Sequence, residues 1–171
     1  MKTLLKQLAL LKVSGSDSET FLQNQFSNDI LKLENTRIQI NAYCQHQGKI
    51  IALFWVMRNH DSFLLSFPAE LAEKVITRLK MFIVISDVKI EDVSEQYLQI
   101  GLINENHQNA LKMNDNLLLL IVPNDQKQEI NAHQDEWTKA CIDNNIPEVL
   151  LSTSEKFVPQ MLNLDINEIG V

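Results

Sequence analysis

The sequence predicts an α+β protein built from antiparallel sheets. Residues 35–44 alternate between apolar and polar side chains, which indicates a strand with one buried face. The polar turn at 45–48 and the apolar run at 50–57 then complete a hairpin. Between 50 and 122 the predicted order is strand, strand, helix, strand, strand, helix, strand, where the second helix covers 105–112. This order is typical of a ferredoxin-like sheet with its helices on one face.

The first forty residues predict a strand followed by a capped helix. Residues 7–14 are almost continuously apolar, as in a strand that is covered on both faces. Ser16 and Glu19 have the spacing of a capping box, which would start the helix. Asn28 and Asp29 then form a polar exit, because such side chains bond readily to their own backbone.

Two further helices have local signals. Pro68 suits the first turn of a helix, and the apolar spacing of three to four residues after it predicts a helix over 68–82. Asn131 and Gln134 have the spacing of a second capping box, which predicts a helix over 132–144 that turns Trp137 inward.

Composition limits the classes of function. With 45% apolar and 22% charged residues, the chain is typical of a globular protein. The net charge of −7 argues against direct nucleic-acid binding, which needs excess Lys and Arg. Cys44 and Cys141 do not form a disulfide framework, and Cys44 with His46 lacks further partners at metal-ligand spacing. No run approaches the roughly 20 apolar residues of a membrane helix, so we expect no membrane association and a cytoplasmic location.

Four stretches, in order, resemble YgfZ-type folate-binding proteins, which are relatives of the glycine-cleavage T-protein. The first, VSGSDSETFLQNQFSNDI at 13–30, resembles the family's G-A-D-A-x-x-F-L-Q-G-Q-x-T-N-D segment. QHQGKIIALFWVMR at 45–58 resembles its G-K hairpin, and RLKMFIVISDVKIED at 78–92 its L-x-K-Y-x-x-x-x-x-V-x-I segment. The stretch 137–171 resembles W-x-x-x-x-I-x-x-G-x-P followed by F-x-P-Q-x-x-N-L-x-x-x-x-x-V.

The resemblance implies a specific domain organisation. Residues 1–45 plus 130–171 would form a discontinuous first domain, and residues 46–129 would form a ferredoxin-like inserted domain. The family's K-G-C-Y-x-G-Q-E signature would come directly after Gly170-Val171, where the chain ends. The resemblance therefore implies a truncated protein, a fragment of the T-protein fold from which this signature and the C-terminal barrel are missing. The apolar face that the barrel would cover leads us to expect self-association.

The resemblance also implies a ligand. Trp137 matches a family tryptophan that contacts folate, and its indole would stack on the pterin of tetrahydrofolate. From the residues alone, a core aromatic on an amphipathic helix explains Trp137 equally well. Asn28 and Asp29 would line the central cleft, although ordinary capping also explains them. A second folate-contacting aromatic of the family falls at Leu8, which has no ring.

The functional hypothesis is a folate-binding accessory protein that resembles YgfZ. The resemblance implies a cytoplasmic role in iron–sulfur cluster assembly or maintenance and, through it, in tRNA modification, with cluster-assembly proteins as partners. The alternative is a non-catalytic remnant or binding module without folate affinity. A T-protein-like aminomethyltransferase is disfavoured, because the family's carboxylate falls at Ala52 or Leu53. We identify no catalytic residue and no metal site.

Overall fold

The computed structural model describes residues 1–164, which form two antiparallel sheets and three α-helices. The strands are β1 (Lys2–Leu4), β2 (Leu8–Ser14), β3 (Gln39–Cys44), β4 (Ile50–Asn59), β5 (Ser62–Pro68), β6 (Lys89–Asp92), β7 (Tyr97–Ile103), β8 (Leu111–Lys112) and β9 (Leu117–Pro123). The helices are α1 (Ser18–Gln25), α2 (Ala72–Met81) and α3 (Gln134–Asp143). The predicted α+β class is confirmed. The stretch 137–171, which resembles the YgfZ-type proteins, extends beyond the described residues by its last seven positions, 165–171.

The five-stranded sheet has the order β3-β4-β5-β2-β6 and is antiparallel throughout. Leu22 of α1 and Val75 of α2 pack with Leu11 of β2 on one face of this sheet. Leu10 of β2 belongs to the core on the opposite face. β2 is therefore buried on both sides, which explains why its sequence is almost continuously apolar.

The four-stranded sheet has the order β1-β7-β9-β8, and with α3 it covers the second face of the five-stranded sheet. Gln99 of β7 joins the two sheets through buried hydrogen bonds. The Ser66 hydroxyl donates to Gln99 Oε1 at 2.5 Å, and Gln99 Nε2 donates to the carbonyls of Leu8 and Ala9 at 3.3 and 3.2 Å. The amide thus forms hydrogen bonds with buried polar atoms of both β2 and β5.

Gly101 of β7 makes room for α3. A Cβ atom at this position would lie 2.3 Å from Cε3 of Trp137, so the indole occupies the space that any other residue's side chain would need. Trp137 is only 2% exposed, and its ring also meets Trp55 of β4 edge-on. The predicted inward orientation of Trp137 is confirmed, and the residue links α3 to both sheets.

The ferredoxin-like arrangement starts earlier in the chain than the sequence predicts. β2, α1, β4, β5, α2 and β6 form a strand-helix-strand-strand-helix-strand unit with sheet order β6-β2-β5-β4, to which β3 adds an edge strand. Of the strands in residues 46–129, β4 to β6 lie in one sheet and β7 to β9 in the other. Strand pairing therefore does not separate residues 46–129 from residues 1–45. The proposed domain boundaries stay a prediction.

The predicted helix over 105–112 is wrong. Residues 104–110 form an irregular connection with a turn at 108–109, and the backbone at Leu111 and Lys112 pairs with β9 instead. Glu105 is held by long-range contacts, because its carboxylate binds the Met1 amino group at 3.0 Å and Lys2 at 3.2 Å. These contacts, together with sheet pairing, override the weak local preference for a helix.

Neither predicted capping box forms. The N-cap of α1 is Asp17, while the Ser16 backbone and hydroxyl both donate to Asp87 at 2.9 Å. Glu19 instead pairs with Arg58 at 2.5 Å. The N-cap of α3 is His133, because Asn131 Oδ1 accepts a hydrogen bond from the Lys2 amide at 2.7 Å. Tertiary partners have replaced the local ones at both sites.

The two ends of the described chain meet at the sheets. The Lys2 carbonyl accepts hydrogen bonds from the Asn131 and Ala132 amides, both at 3.1 Å. At the start of β4, the Ile50 amide donates to the Phe157 carbonyl at 2.8 Å. The segment that includes α3 is consequently fixed against β1 and β4, which positions its side chains over the interior.

Replacing Gln99 with leucine should destabilise the fold by about 2 kcal/mol, because buried hydrogen-bonding groups of Ser66 and β2 would lose their partner. Urea denaturation followed by circular dichroism measures the loss. The exposed Gln126→Leu is the matched control and should change stability little. Adding Ser66→Ala to Gln99→Leu should restore part of the loss, and a further drop in stability would contradict this account.

Gly101→Ala should cost about 1–3 kcal/mol, because the new methyl group would overlap the Trp137 ring. Urea denaturation measures the cost, and tryptophan emission reports the displaced ring. In a Trp137→Leu background the same change should cost clearly less, since the smaller side chain leaves space. Strictly additive losses would show that the two residues do not interact as described.

Candidate functional site

A partly enclosed cavity of about 260 Å³ lies where α3 meets the five-stranded sheet. Its walls are mainly apolar and come from three separate parts of the sequence. The residues that line it include Gln7, Trp55, Trp137, Cys141, Ile146 and Glu148. Apolar concave sites with a few polar groups are the usual form of small-molecule sites in proteins.

Two indole rings contribute to the cavity wall, although Trp55 and Trp137 are only 8% and 2% exposed. The centroids of Trp55 and Trp137 lie 6.0 Å apart at an interplanar angle of 68°. β4 supplies Trp55 on its inward face, next to the position where α3 supplies Trp137. Rings at this angle form a corner that can contact a flat ligand on its face and along its edge.

Gln7 Oε1 is buried and has no hydrogen-bond partner among the described residues. Glu148 is an exposed residue, but partial desolvation of its carboxyl group raises its pKa, with the nearby Glu70 carboxylate acting in the same direction. Burial, reinforced by Glu148, raises the pKa of the Cys141 thiol to about 12. Cys141 is therefore protonated at neutral pH and is not a thiolate nucleophile.

A wider polar groove of about 510 Å³ adjoins the cavity, and Ile146 lines both. Asn28 lies on its wall, with the cationic side chains of Lys32 and Arg37. The polar atoms of Asn28 are already engaged, since Nδ2 donates to the Ile40 carbonyl at 3.2 Å and Oδ1 accepts from the Asp29 amide at 2.8 Å. Asn28 therefore shapes the groove through its backbone contacts.

Asp29 stabilises a local turn. Its carboxylate caps the short turn at 30–32 by accepting from the Leu31 amide at 3.2 Å, and it pairs with Lys32 at 3.5 Å. It is not on the wall of the groove or of the cavity. The structure thus places Asn28 next to the site of Trp137 but gives Asp29 no comparable position.

The roles of Trp137, Asn28 and Asp29 in ligand binding stay predictions. The burial of Trp137 fits a core aromatic as well as a ligand contact, so both interpretations remain. Leu8, at the position of the family's second ring, is a buried core residue. Trp55 supplies a second ring that the sequence analysis missed, because a tryptophan within an apolar central strand looks like an ordinary core residue.

The described residues give little support to aminomethyl transfer or to a metal site. Ala52 and Leu53, where the family's carboxylate would fall, are buried in the apolar cores. Residues 1–164 contain no group of three or more His, Cys, Asp and Glu side chains suited to a metal ion. No helix in that range is long and apolar enough to cross a membrane.

Comparison with known proteins identifies relatives of similar sequence. The chain is 27% identical over 172 residues to an uncharacterised protein of Haemophilus influenzae, covering 96% of this chain and 60% of that protein. It is 25% identical over 186 residues to the tRNA-modifying protein YgfZ of Aliivibrio fischeri, covering 94% of this chain and 58% of that one. The chain thus spans about 60% of the length of these relatives.

The fold has a counterpart of known structure. The glycine cleavage system aminomethyltransferase T from Bartonella henselae superposes with a TM-score of 0.59 at 12% identity, covering 71% of this chain and 41% of that one. The GCVT N-terminal domain family matches residues 5–111, which is more than half of the sequence. The chain therefore belongs to the GCVT N-terminal domain family and is of the YgfZ type within it.

Proposed function

We propose that this protein is a YgfZ-like accessory protein that binds reduced folate in the cavity between Trp55 and Trp137. The observation that carries the proposal is the pair of indoles on one cavity wall. A pterin is flat and aromatic, and contact with an indole contributes about 0.5–1.5 kcal/mol beyond the burial of apolar area. The cavity volume of about 260 Å³ suits a bicyclic ring system rather than a whole folate.

The adjoining groove fits the rest of the ligand. A folate carries an aminobenzoyl-glutamate tail whose carboxylates need cationic or hydrogen-bonding partners. The cationic side chains of Lys32 and Arg37 line this groove. With its ring in the cavity, a folate would extend its tail into this groove, past Asn28.

The cellular role follows from the relatives. A relative at 25% identity is named as a tRNA-modifying protein, so we propose a supporting role in tRNA modification, exerted in the cytoplasm through iron–sulfur cluster assembly or maintenance. The net charge of −7 favours protein partners over direct contact with tRNA. Exposed apolar side chains after α2, including Val84 at 82% and Ile85 at 98% exposure, offer a surface for such partners or for self-association. Light scattering on the purified chain tests whether it self-associates.

Two other functions compete with this proposal. A remnant without folate affinity would keep the fold and lose only the ligand. An aminomethyltransferase needs a group that exchanges protons near the folate, and the side chains of Ala52 and Leu53 cannot supply one. We therefore favour a binding role over catalysis.

Trp137→Ala and Trp55→Leu should each weaken tetrahydrofolate binding roughly tenfold or more, because each removes a ring from the cavity wall. Isothermal titration under reducing conditions measures the affinity. Phe54→Leu is the matched control, because Phe54 is the neighbour of Trp55 on β4 but faces the opposite core. It should lower stability without changing affinity.

Circular dichroism melts of all variants separate unfolding from lost contacts. Equal affinities for the wild type and both tryptophan variants would remove these rings from the site. A folded wild type that binds no tetrahydrofolate would favour the remnant without ligand.

A further inference from the structure

Within residues 1–164, the outer edge of β6 lacks the hydrogen-bonded cover that the other three sheet edges have. The backbone of β3 accepts a hydrogen bond from the Ser27 amide at 3.0 Å, that of β1 from the Asn131 amide at 3.1 Å, and that of β8 from the Ile38 amide at 2.9 Å. No comparable bond reaches the outer edge of β6 from this part of the chain. An uncovered edge is a template on which another strand can pair.

The pairing of β6 with β2 determines which backbone groups point outward. The Val93 amide donates to the Leu10 carbonyl at 2.9 Å, directly after the antiparallel ladder between the two strands. Hydrogen-bonded and non-hydrogen-bonded positions alternate along such a ladder, so Glu91 bonds to β2 whereas Ile90 and Asp92 do not. The N–H and C=O groups of Ile90 and Asp92 therefore point away from β2, toward the uncovered side.

The charged side chains of β6 are complementary to themselves. Lys89 and Glu91 lie on the same face of the strand, and their side chains form an ion pair at 2.8 Å. Both side chains are accessible, with 69% and 39% of their areas exposed. Ile90 lies between them on the other face and packs in the core beside α1 and α2. If a second copy pairs antiparallel about Ile90, each of these charges meets its opposite.

We propose that two copies of this chain pair through β6, antiparallel and about a two-fold axis at Ile90, so that their five-stranded sheets become continuous. Lys89 then lies opposite Glu91 of the second copy, and the same pair repeats on the other side of the axis. Ile90 exchanges two backbone hydrogen bonds with its counterpart, while the Asp92 amide donates to the Val88 carbonyl of the second copy. The charged pairs occupy non-hydrogen-bonded positions, where opposing side chains lie closest.

The charges also select this register over the neighbouring one. With the axis at Glu91, Ile90 would bond to Asp92 of the second copy, so the outward backbone groups would still be paired. However, the two Glu91 carboxylates would lie directly opposite each other, which is destabilising. Charged residues often protect a sheet edge against pairing, but here they disfavour one register and favour the other. The interface shares no residue with the cavity beside Trp137 and does not depend on the folate site.

The dimer should be weak, because β6 has only four residues. Its interface is smaller than the roughly 1,200–2,000 Å² that a stable complex buries, and we expect a dissociation constant on the order of 10–100 μM. The wild type should therefore be monomeric at low concentration and become dimeric as its concentration approaches about 1 mM. Sedimentation equilibrium over this range measures the dissociation constant.

Lys89→Glu and Glu91→Lys should each weaken the dimer roughly tenfold or more, because each places like charges opposite one another on both sides of the axis. An equimolar mixture of the two variants should form a heterodimer, since every pair between positions 89 and 91 then joins opposite charges. The double variant that carries both changes should dimerise like the wild type. Circular dichroism melts establish that each variant is folded.

A change in the backbone tests the edge itself. Asp92→Pro removes the outward amide without removing a bond to β2, whereas Asp92→Ala keeps this amide. Both variants lose the hydrogen bond at 2.6 Å from the Ser94 hydroxyl to the Asp92 carboxylate, so they differ mainly in the amide. Asp92→Pro should be monomeric and Asp92→Ala dimeric, and equal dimerisation of the two folded variants would overturn the proposal.

Glu73→Lys and Lys80→Glu are matched controls at exposed positions of α2, and they change the net charge by the same amounts. They should leave dimerisation unchanged, alone or mixed. A wild type that stays monomeric up to about 1 mM would contradict the proposal, as would a dimer that survives both single charge changes in β6. A dimer that is lost in Val84→Ser/Ile85→Ser but kept in Lys89→Glu would place the interface on the loop after α2 and overturn the proposal.

Discussion

The contact between the Trp137 indole and the bare backbone of Gly101 is the constraint on which the site depends. A glycine in the middle of β7 lets the ring lie directly against the strand, and the same ring meets Trp55 of β4 at its edge. One side chain thereby joins α3 to both sheets. Protein interiors are usually close-packed, so a cavity beside two large rings is unusual. Both rings of this edge-to-face pair border the cavity.

Local sequence patterns predicted most of the helices and strands, because in these elements the period of the apolar residues matches the face that is buried. The hairpin of β3 and β4, the long apolar β2 and the amphipathic α2 all have faces that match one core each. The same logic could not find β1, which has three residues and becomes a strand only by pairing with β7. It also misplaced the start of the ferredoxin-like unit, since the position of β2 between β5 and β6 is a long-range pairing that has no signature in the sequence.

The site was less predictable than the fold, for a physical reason. Trp137 was identified through the resemblance to a family. Trp55 lies in a strand whose residues are nearly all apolar, so the sequence does not distinguish it from an ordinary core residue. Gln7 Oε1 lacks a hydrogen-bond partner among the described residues and the Glu148 carboxyl is partly desolvated, and both properties arise only in three dimensions. The two predicted capping boxes do not form for a related reason. Ser16 and Asn131 form hydrogen bonds with residues distant in the sequence instead of capping their own helices.

The origin of the cavity lining determines what this chain can do alone. Gln7, Trp55 and the segment 137–148, which line the cavity, all belong to the described residues. The relatives are longer, and the chain spans about 60% of their length, so their activity as whole proteins is a separate question. Binding and activity are therefore separable here. Gln7 Oε1 is buried without a hydrogen-bond partner among the described residues, and such local costs concentrate at functional sites.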